Sequence, residues 1–144
     1  MDINQPISSI MSESVYTVSP KDKLQVAKDV FDTYPVHHVV VMDNDQLVGI
    51  MSNLDLMYFL RPIDPESNEK YINRLRLKNY TIEEVMTKEV VTINAEESIM
   101  AALELLNKNV FHALPVMKGG ALCGIMTTHD IIASLLESNK KTVS

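Results

Sequence analysis

Apolar residues along this chain come in short runs, each broken by polar or charged residues within about ten positions. Residues 15–18 and 90–93 alternate as short strands do. Leu24, Ala27, Phe31 and Tyr34 then recur at helical spacing, as do Ile99, Ala102, Leu106 and Asn109, with Leu105 and Val110 adding apolar bulk, so each set predicts a helix with one buried face. Helix starts are expected at Ser19-Pro20-Lys21-Asp22, with a capping hydroxyl, proline at the first helical position and an acid at the third. Asn94-Ala95-Glu96-Glu97 repeats that logic without the proline. Residues 39–42 and 47–51 predict two strands flanking the turn-forming Asp43-Asn44-Asp45-Gln46, and Lys118-Gly119-Gly120-Ala121 stands in the same place later in the chain. Their nearly continuous apolar runs predict strands covered on both faces.

These parallels are one unit written twice. Residues 7–60 overlay residues 82–135 at a constant offset of 75 without a gap, and roughly a quarter of the positions are identical. Met11 and Met86, Thr17 and Thr92, His37 and His112, Gly49 and Gly124, and Asp55 and Asp130 are among the matched pairs. The predicted fold class is α+β: two pseudo-symmetric β-α-β-β-α repeats packed through their sheets. The first repeat spans residues 1–61 and the second 82–144, ending in a short polar tail. Between them, residues 62–81 form a linker. Arg61-Pro62-Ile63-Asp64-Pro65 ends the preceding helix, and residues 66–78 carry a helical pattern with Tyr71, Ile72, Leu75 and Leu77 as apolar contacts.

Composition narrows the function. With 46% hydrophobic residues the 144-residue chain can build a core, and no run approaches the roughly 20 apolar residues of a membrane helix. No signal-peptide pattern opens it, so a soluble, cytoplasmic protein is expected. The formal charge of −6 disfavours nucleic acid and anionic membrane as partners, whereas a small anion needs only a few local donors. Cys123 is the single cysteine and, with the apolar neighbours Leu122 and Ile125, reads as a buried thiol. The paired methionines, such as Met42 with Met117 and Met51 with Met126, read as adaptable packing. No nucleophile and base stand at a recognisable spacing, and no glycine-rich phosphate loop is present, so neither catalysis nor a catalytic cofactor is expected. His37, His38 and His129 beside Asp43 and Asp45 repeat no ligand spacing between copies, so no metal is expected either.

The most informative segment is Gly49-Ile50-Met51-Ser52-Asn53-Leu54-Asp55, repeated as Gly124-Ile125-Met126-Thr127-Thr128-His129-Asp130 where a strand runs into a helix. A Ser or Thr three residues before an Asp can cap the helix, at about 1 kcal/mol. Alternatively the carboxylate can hold both hydroxyls of a ribose while the hydroxyl and free amides meet a phosphate. Spacing alone favours the cap.

Together with Ile10-Met11, Val85-Met86 and His112-Ala113-Leu114-Pro115-Val116, this segment resembles the CBS-domain (cystathionine-β-synthase) family over most of the chain, as a tandem pair or Bateman module. That resemblance implies a regulatory module that binds an adenosine ligand in clefts between the repeats. One site would combine Ser52 and Asp55 with Val85, Met86, Thr87, Phe111, His112 and Ala113. The other would combine Thr127 and Asp130 with Ile10, Met11, Ser12, Val36, His37 and His38. Backbone near Met11 and Met86 would read the adenine edge, Val36 or Phe111 would pack on its ring, and His37 and His112 either approach phosphate or serve as interface histidines. Arginine is scarce, with Arg61, Arg74 and Arg76 all in or beside the linker, which disfavours a polyphosphate; AMP, ADP, ATP, S-adenosylmethionine or a cyclic dinucleotide stay open as the ligand. The resemblance also implies a homodimer formed through Leu56, Met57, Phe59, Leu60, Ile131, Ile132, Leu135 and Leu136, and an effector protein acting in trans. The other reading is a ligand-free dimerisation or scaffold module in which Asp55 and Asp130 only cap helices.

Overall fold

The structure is a computed structural model and describes residues 1–60, 69–109 and 112–143. Two three-stranded sheets are formed. In the first, β1 (Thr17–Val18) pairs parallel with β2 (His38–Asp43), which pairs antiparallel with β3 (Gln46–Ser52). Helix α1 (Leu24–Thr33) connects β1 to β2, and α2 (Asn53–Leu60) follows β3 directly. After α3 (Glu69–Asn79) and the short α4 (Ile82–Val85) the pattern recurs as β4 (Ile93–Asn94), α5 (Ile99–Lys108), β5 (Ala113–Lys118), β6 (Ala121–Thr127) and α6 (Thr128–Val143). Val110, Phe111 and the proline-bearing residues 61–65 of the linker lie outside the described residues.

Both hairpins turn where the polar tetrads predict. Asn44 takes a left-handed φ of 54°, and Gly119 and Gly120 take 58° and 79°, the positive angles a two-residue hairpin turn requires. The register slips between Val41 and Met42 and again between Val116 and Met117, leaving Val48 and Cys123 as the extra residues of matched bulges. A bulge position at the strand rim leaves Cys123 half-buried, in place of the buried thiol expected.

Compaction does not follow the two sequence repeats. One compact unit, here the terminal unit, joins Met1–Val15 to Val91–Ser144; the other, the central unit, is Tyr16–Val90. Ile7 is fully buried among Ile93, Leu114, Val116 and Met126, while Ile82 is fully buried among Leu24, Val39, Val41 and Met51. Each repeat therefore completes its core with the opening segment of the other repeat. Leu77 of α3 joins the central core, whereas Tyr71 and Leu75 are exposed and Ile72 is half-buried. Arg76 donates to the Phe59 carbonyl at 3.3 Å, tying α3 to the end of α2.

This exchange displaces both expected helix starts. α1 begins at Leu24 after Lys23, and α5 at Ile99 after Ser98, not at Ser19 and Asn94. The intervening backbone is occupied by incoming chain: Ile82 N–H donates to the Asp22 carbonyl and Leu24 N–H to that of Tyr80, as Ile7 does to Glu97 and Ile99 to Gln5. Paired on those groups, residues 19–23 and 94–98 cannot wind into a helix. Ser19 and Asn94 instead open turns whose acids fold back, Asp22 accepting the Ser19 N–H at 2.8 Å and Glu97 the Asn94 N–H at 2.9 Å. Ser98 is the working cap of α5, accepting the Ala101 N–H on Oγ. Tyr34 ends α1 outside its buried face and stacks on Tyr16, ring centroids 4.3 Å apart.

Candidate functional site

Where β3 runs into α2, Ser52 and Asp55 bond reciprocally. Asp55 Oδ2 accepts the Ser52 N–H at 3.0 Å, and Ser52 Oγ accepts the Asp55 N–H at 3.0 Å. Thr127 and Asp130 do the same at the start of α6, at 2.9 and 3.1 Å. Both halves of a capping box are thus present in each repeat, and the carboxylates sit in the first helical turn, where the dipole favours them. The cap engages Oδ2 alone. A carboxylate offers about four acceptor positions, so Oδ1 remains chemically competent to accept from a diol while the cap stays intact.

The incoming segments reach the same ends of the sheets. Thr87 exchanges two backbone hydrogen bonds with Ile50, at 2.9 and 3.0 Å, and Ser12 exchanges two with Ile125, both at 2.9 Å. These close the free edges of β3 and β6 two residues before the capping hydroxyls. Glycine is required at the crossing, because a Cβ on Gly124 would lie 2.6 Å from Met11 Sδ and 2.9 Å from the Ser12 carbonyl oxygen. At Gly49 it would meet Met86 Sδ and the Thr87 carbonyl oxygen. Of the residues singled out in the sequence, the central unit brings Val85, Met86 and Thr87 to the strand that carries Ser52 and Asp55. The terminal unit does the same with Ile10, Met11 and Ser12 for Thr127 and Asp130.

The histidines enter from the facing strand. His37 offers its carbonyl to the Asn53 N–H at 2.8 Å, and His38 lies opposite Ser52 in the register. Correspondingly, the His112 carbonyl accepts the Thr128 N–H at 3.0 Å and Ala113 faces Thr127. Inside each unit, then, the histidine next to the cap is that of the same repeat. The side chains of His37 and His112 are exposed, Val36 and His38 are half-buried, and Phe111 lies outside the described residues. Sequence reasoning singled out the caps but not the open groove of about 660 Å³ in the terminal unit, lined in part by Glu13, Glu96, Lys118 and Cys123. No motif marks it, because its walls come from three separated stretches. Among the described residues, no three His, Cys, Asp or Glu side chains gather as metal ligands, and no helix is long and apolar enough to cross a membrane.

Comparison with known proteins bears on this geometry. The profile of the CBS domain matches residues 7–62 and again 82–137. A CBS domain-containing protein of Dictyostelium discoideum is 31% identical over 134 residues, 91% of each chain. Inosine-5'-monophosphate dehydrogenase of Thermoplasma acidophilum is 30% identical over 125 residues, which is 86% of this chain but 22% of that enzyme. Among solved structures, CBSX2 in complex with AMP superposes with a TM-score of 0.75 at 23% identity, covering 92% of this chain and 97% of that one.

Proposed function

This chain belongs to the CBS-domain family as a tandem pair, and from that premise we propose that it is a non-catalytic regulatory module whose ligand is an adenosine-containing nucleotide, AMP foremost. The observation that carries the reading is the pair of capped carboxylates, Asp55 and Asp130. Each is held in one orientation by its own helix start, with one oxygen left to grip a ribose diol. Preorganisation of this kind removes an ordering cost from binding. The hydroxyls of Ser52 and Thr127, which accept in the caps and keep a proton to donate, suit a phosphate beside that ribose. Backbone around Met86 and Thr87, and around Met11 and Ser12, lies on the same strand ends and offers the polar edge that reads adenine. The AMP complex of CBSX2 supports the ligand class. ADP, ATP and S-adenosylmethionine share the adenosine moiety and belong in the same test.

Signalling follows from population shift: a ligand that binds one arrangement of the module better favours that arrangement by its differential affinity. The exposed apolar side chains of α2 (Leu54, Met57 and Tyr58) and of α6 (Ile132, Leu135 and Leu136) suit a homodimer, through which occupancy reaches an effector protein. The same surface favours a second reading, a ligand-free scaffold, in which the carboxylates do nothing beyond capping.

Thermal unfolding with an adenosine panel separates the two. A ligand at about a hundred times its Kd adds about 2.7 kcal/mol, a shift of several degrees. Asp55→Asn and Asp130→Asn keep an oxygen for the cap but lose the charge, so they should fold normally and lose the ligand-induced shift. A midpoint unmoved by every adenosine compound leaves the scaffold.

A further inference from the structure

The charged residues that line the groove of the terminal unit have counterparts of opposite sign in the central unit. At the offset of 75, Glu96 replaces Lys21, Glu13 replaces Lys88 and Lys118 replaces Asp43. In the central unit the groove is bridged by its own side chains. Lys21 Nζ lies 2.7 Å from Glu83 Oε1, and Lys23 Nζ donates to the Asn79 carbonyl at 3.4 Å. In the terminal unit the position across from Glu96 is Ser8, not a cation, and Ser98 stands where Lys23 would reach over. The result is an open groove of about 660 Å³, within the size range of small-molecule sites. Among the described residues the ion pairs are Lys21–Glu83 and Lys28–Asp32, so Glu13, Glu96 and Lys118 line this groove without an ionic partner. Thr127, Asp130 and His112 do not line it, while Met11, whose backbone belongs to the nucleotide site, forms part of its wall.

We propose that this groove binds a free basic amino acid. Two carboxylates, Glu13 and Glu96, match two ammonium groups, and Lys118 matches the α-carboxylate. The ligand thereby supplies the cross-groove cation that the central unit carries covalently as Lys21. An acidic or neutral amino acid would leave one of the two carboxylates unpaired. The groove would give the module a second input, chemically unlike a nucleotide and sited on one unit only.

Calorimetric titration of the full chain with L-lysine at low ionic strength tests this, with cadaverine (no carboxylate) and L-norleucine (no side-chain ammonium) as comparison ligands. Saturable one-to-one binding of L-lysine is expected, at least about tenfold weaker for either comparison ligand and for Glu13→Gln or Glu96→Gln. The double variant Ser8→Glu with Glu96→Lys rebuilds the Lys21–Glu83 bridge. It should abolish lysine binding while the nucleotide-induced midpoint shift persists. Should that pair misfold by circular dichroism, the single surface variants carry the test. The proposal is overturned if L-lysine gives no saturable heat at millimolar concentration, if cadaverine or norleucine binds as well, or if the Glu→Gln variants bind unchanged. Failure of the nucleotide reading would show separately, as a panel without midpoint shifts beside intact lysine binding.

Discussion

In the central unit, Lys21 reaches Glu83 at 2.7 Å; in the terminal unit the same two positions are Glu96 and Ser8, and the groove between them stands open. Yet the main chain of the two units is matched where the incoming segments bridge the sheets. Lys23 bridges Thr81 as Ser98 bridges Pro6, and Ile50 bridges Thr87 as Ile125 bridges Ser12. The capping boxes, hairpin registers and bulges repeat as well. What the contrast teaches is a division of labour: backbone hydrogen bonds and buried apolar residues preserve the shared frame, while exposed charges are free to diverge, so that one groove is bridged and the other open.

The strongest way to break the match is at its exchanged anchors. Ile7 and Ile82 are both fully buried in the unit opposite their own repeat, so Ile7→Ala and Ile82→Ala should each cost about 3 kcal/mol in urea unfolding. A loss under about 1 kcal/mol for Ile7→Ala would mean that the terminal unit does not depend on the opening segment of the first repeat.

A smaller and unequal effect is expected at the glycine crossings. The thioethers of Met11 and Met86 can swing aside, so the backbone oxygens decide: 2.9 Å from an added Cβ at Gly124 and 3.0 Å at Gly49. Gly124→Ala should cost about 2 kcal/mol and Gly49→Ala about 1 kcal/mol by the same measurement. Equal losses would place the strain in the methionines instead.

The two sheets differ where proline falls: Pro115 stands at the position of Val40, and Pro20 at that of Ala95, whose N–H donates to the Met117 carbonyl. Val40 donates to the Tyr16 carbonyl at 3.1 Å, but Pro115 at the matching position has no N–H, and β4 accordingly pairs one residue later than β1. Val40→Pro should lose about 1–2 kcal/mol, and Pro115→Val should recover up to about 1 kcal/mol. Amide exchange at position 115 reports whether the new bond forms.

The smallest effect belongs to the groove bridge. The hydrogen bond and charge of Glu83, with a further contribution from Asp43, hold the Lys21 ammonium above the ordinary lysine range. Folding therefore favours the charged form. Its contribution is complete below the ordinary lysine pKa of about 10.4 and fades as the pH climbs through the raised value. Melting-temperature differences between the wild type and Lys21→Met should be slight at neutral pH, since the pair is solvent-exposed, and should vanish in strong alkali. Glu96→Gln in the terminal unit should show no such alkaline dependence.

The repeat, the hairpins, the two turns and the Ser52/Asp55 and Thr127/Asp130 pairs were all legible in the amino-acid order, because period, turn chemistry and capping are local properties carried by a few neighbouring residues. Helix starts were misplaced by four residues for the opposite reason. Ser19 and Asn94 have good local credentials as caps, but a backbone already bonded to Ile7, Ser8, Ile82 and Glu83 has no freedom to wind there.

Local pattern could also show that two copies exist, but not which segment completes which core. That depends on apolar residues far apart in the chain finding each other, as Ile7 and Met126 do, a choice made by burial and by pairing of distant backbone groups. The open groove belongs to the same class. Glu13, Glu96 and Lys118 are unremarkable along the chain and become a site only because folding brings three stretches to one wall, with a serine where the sister unit has a glutamate.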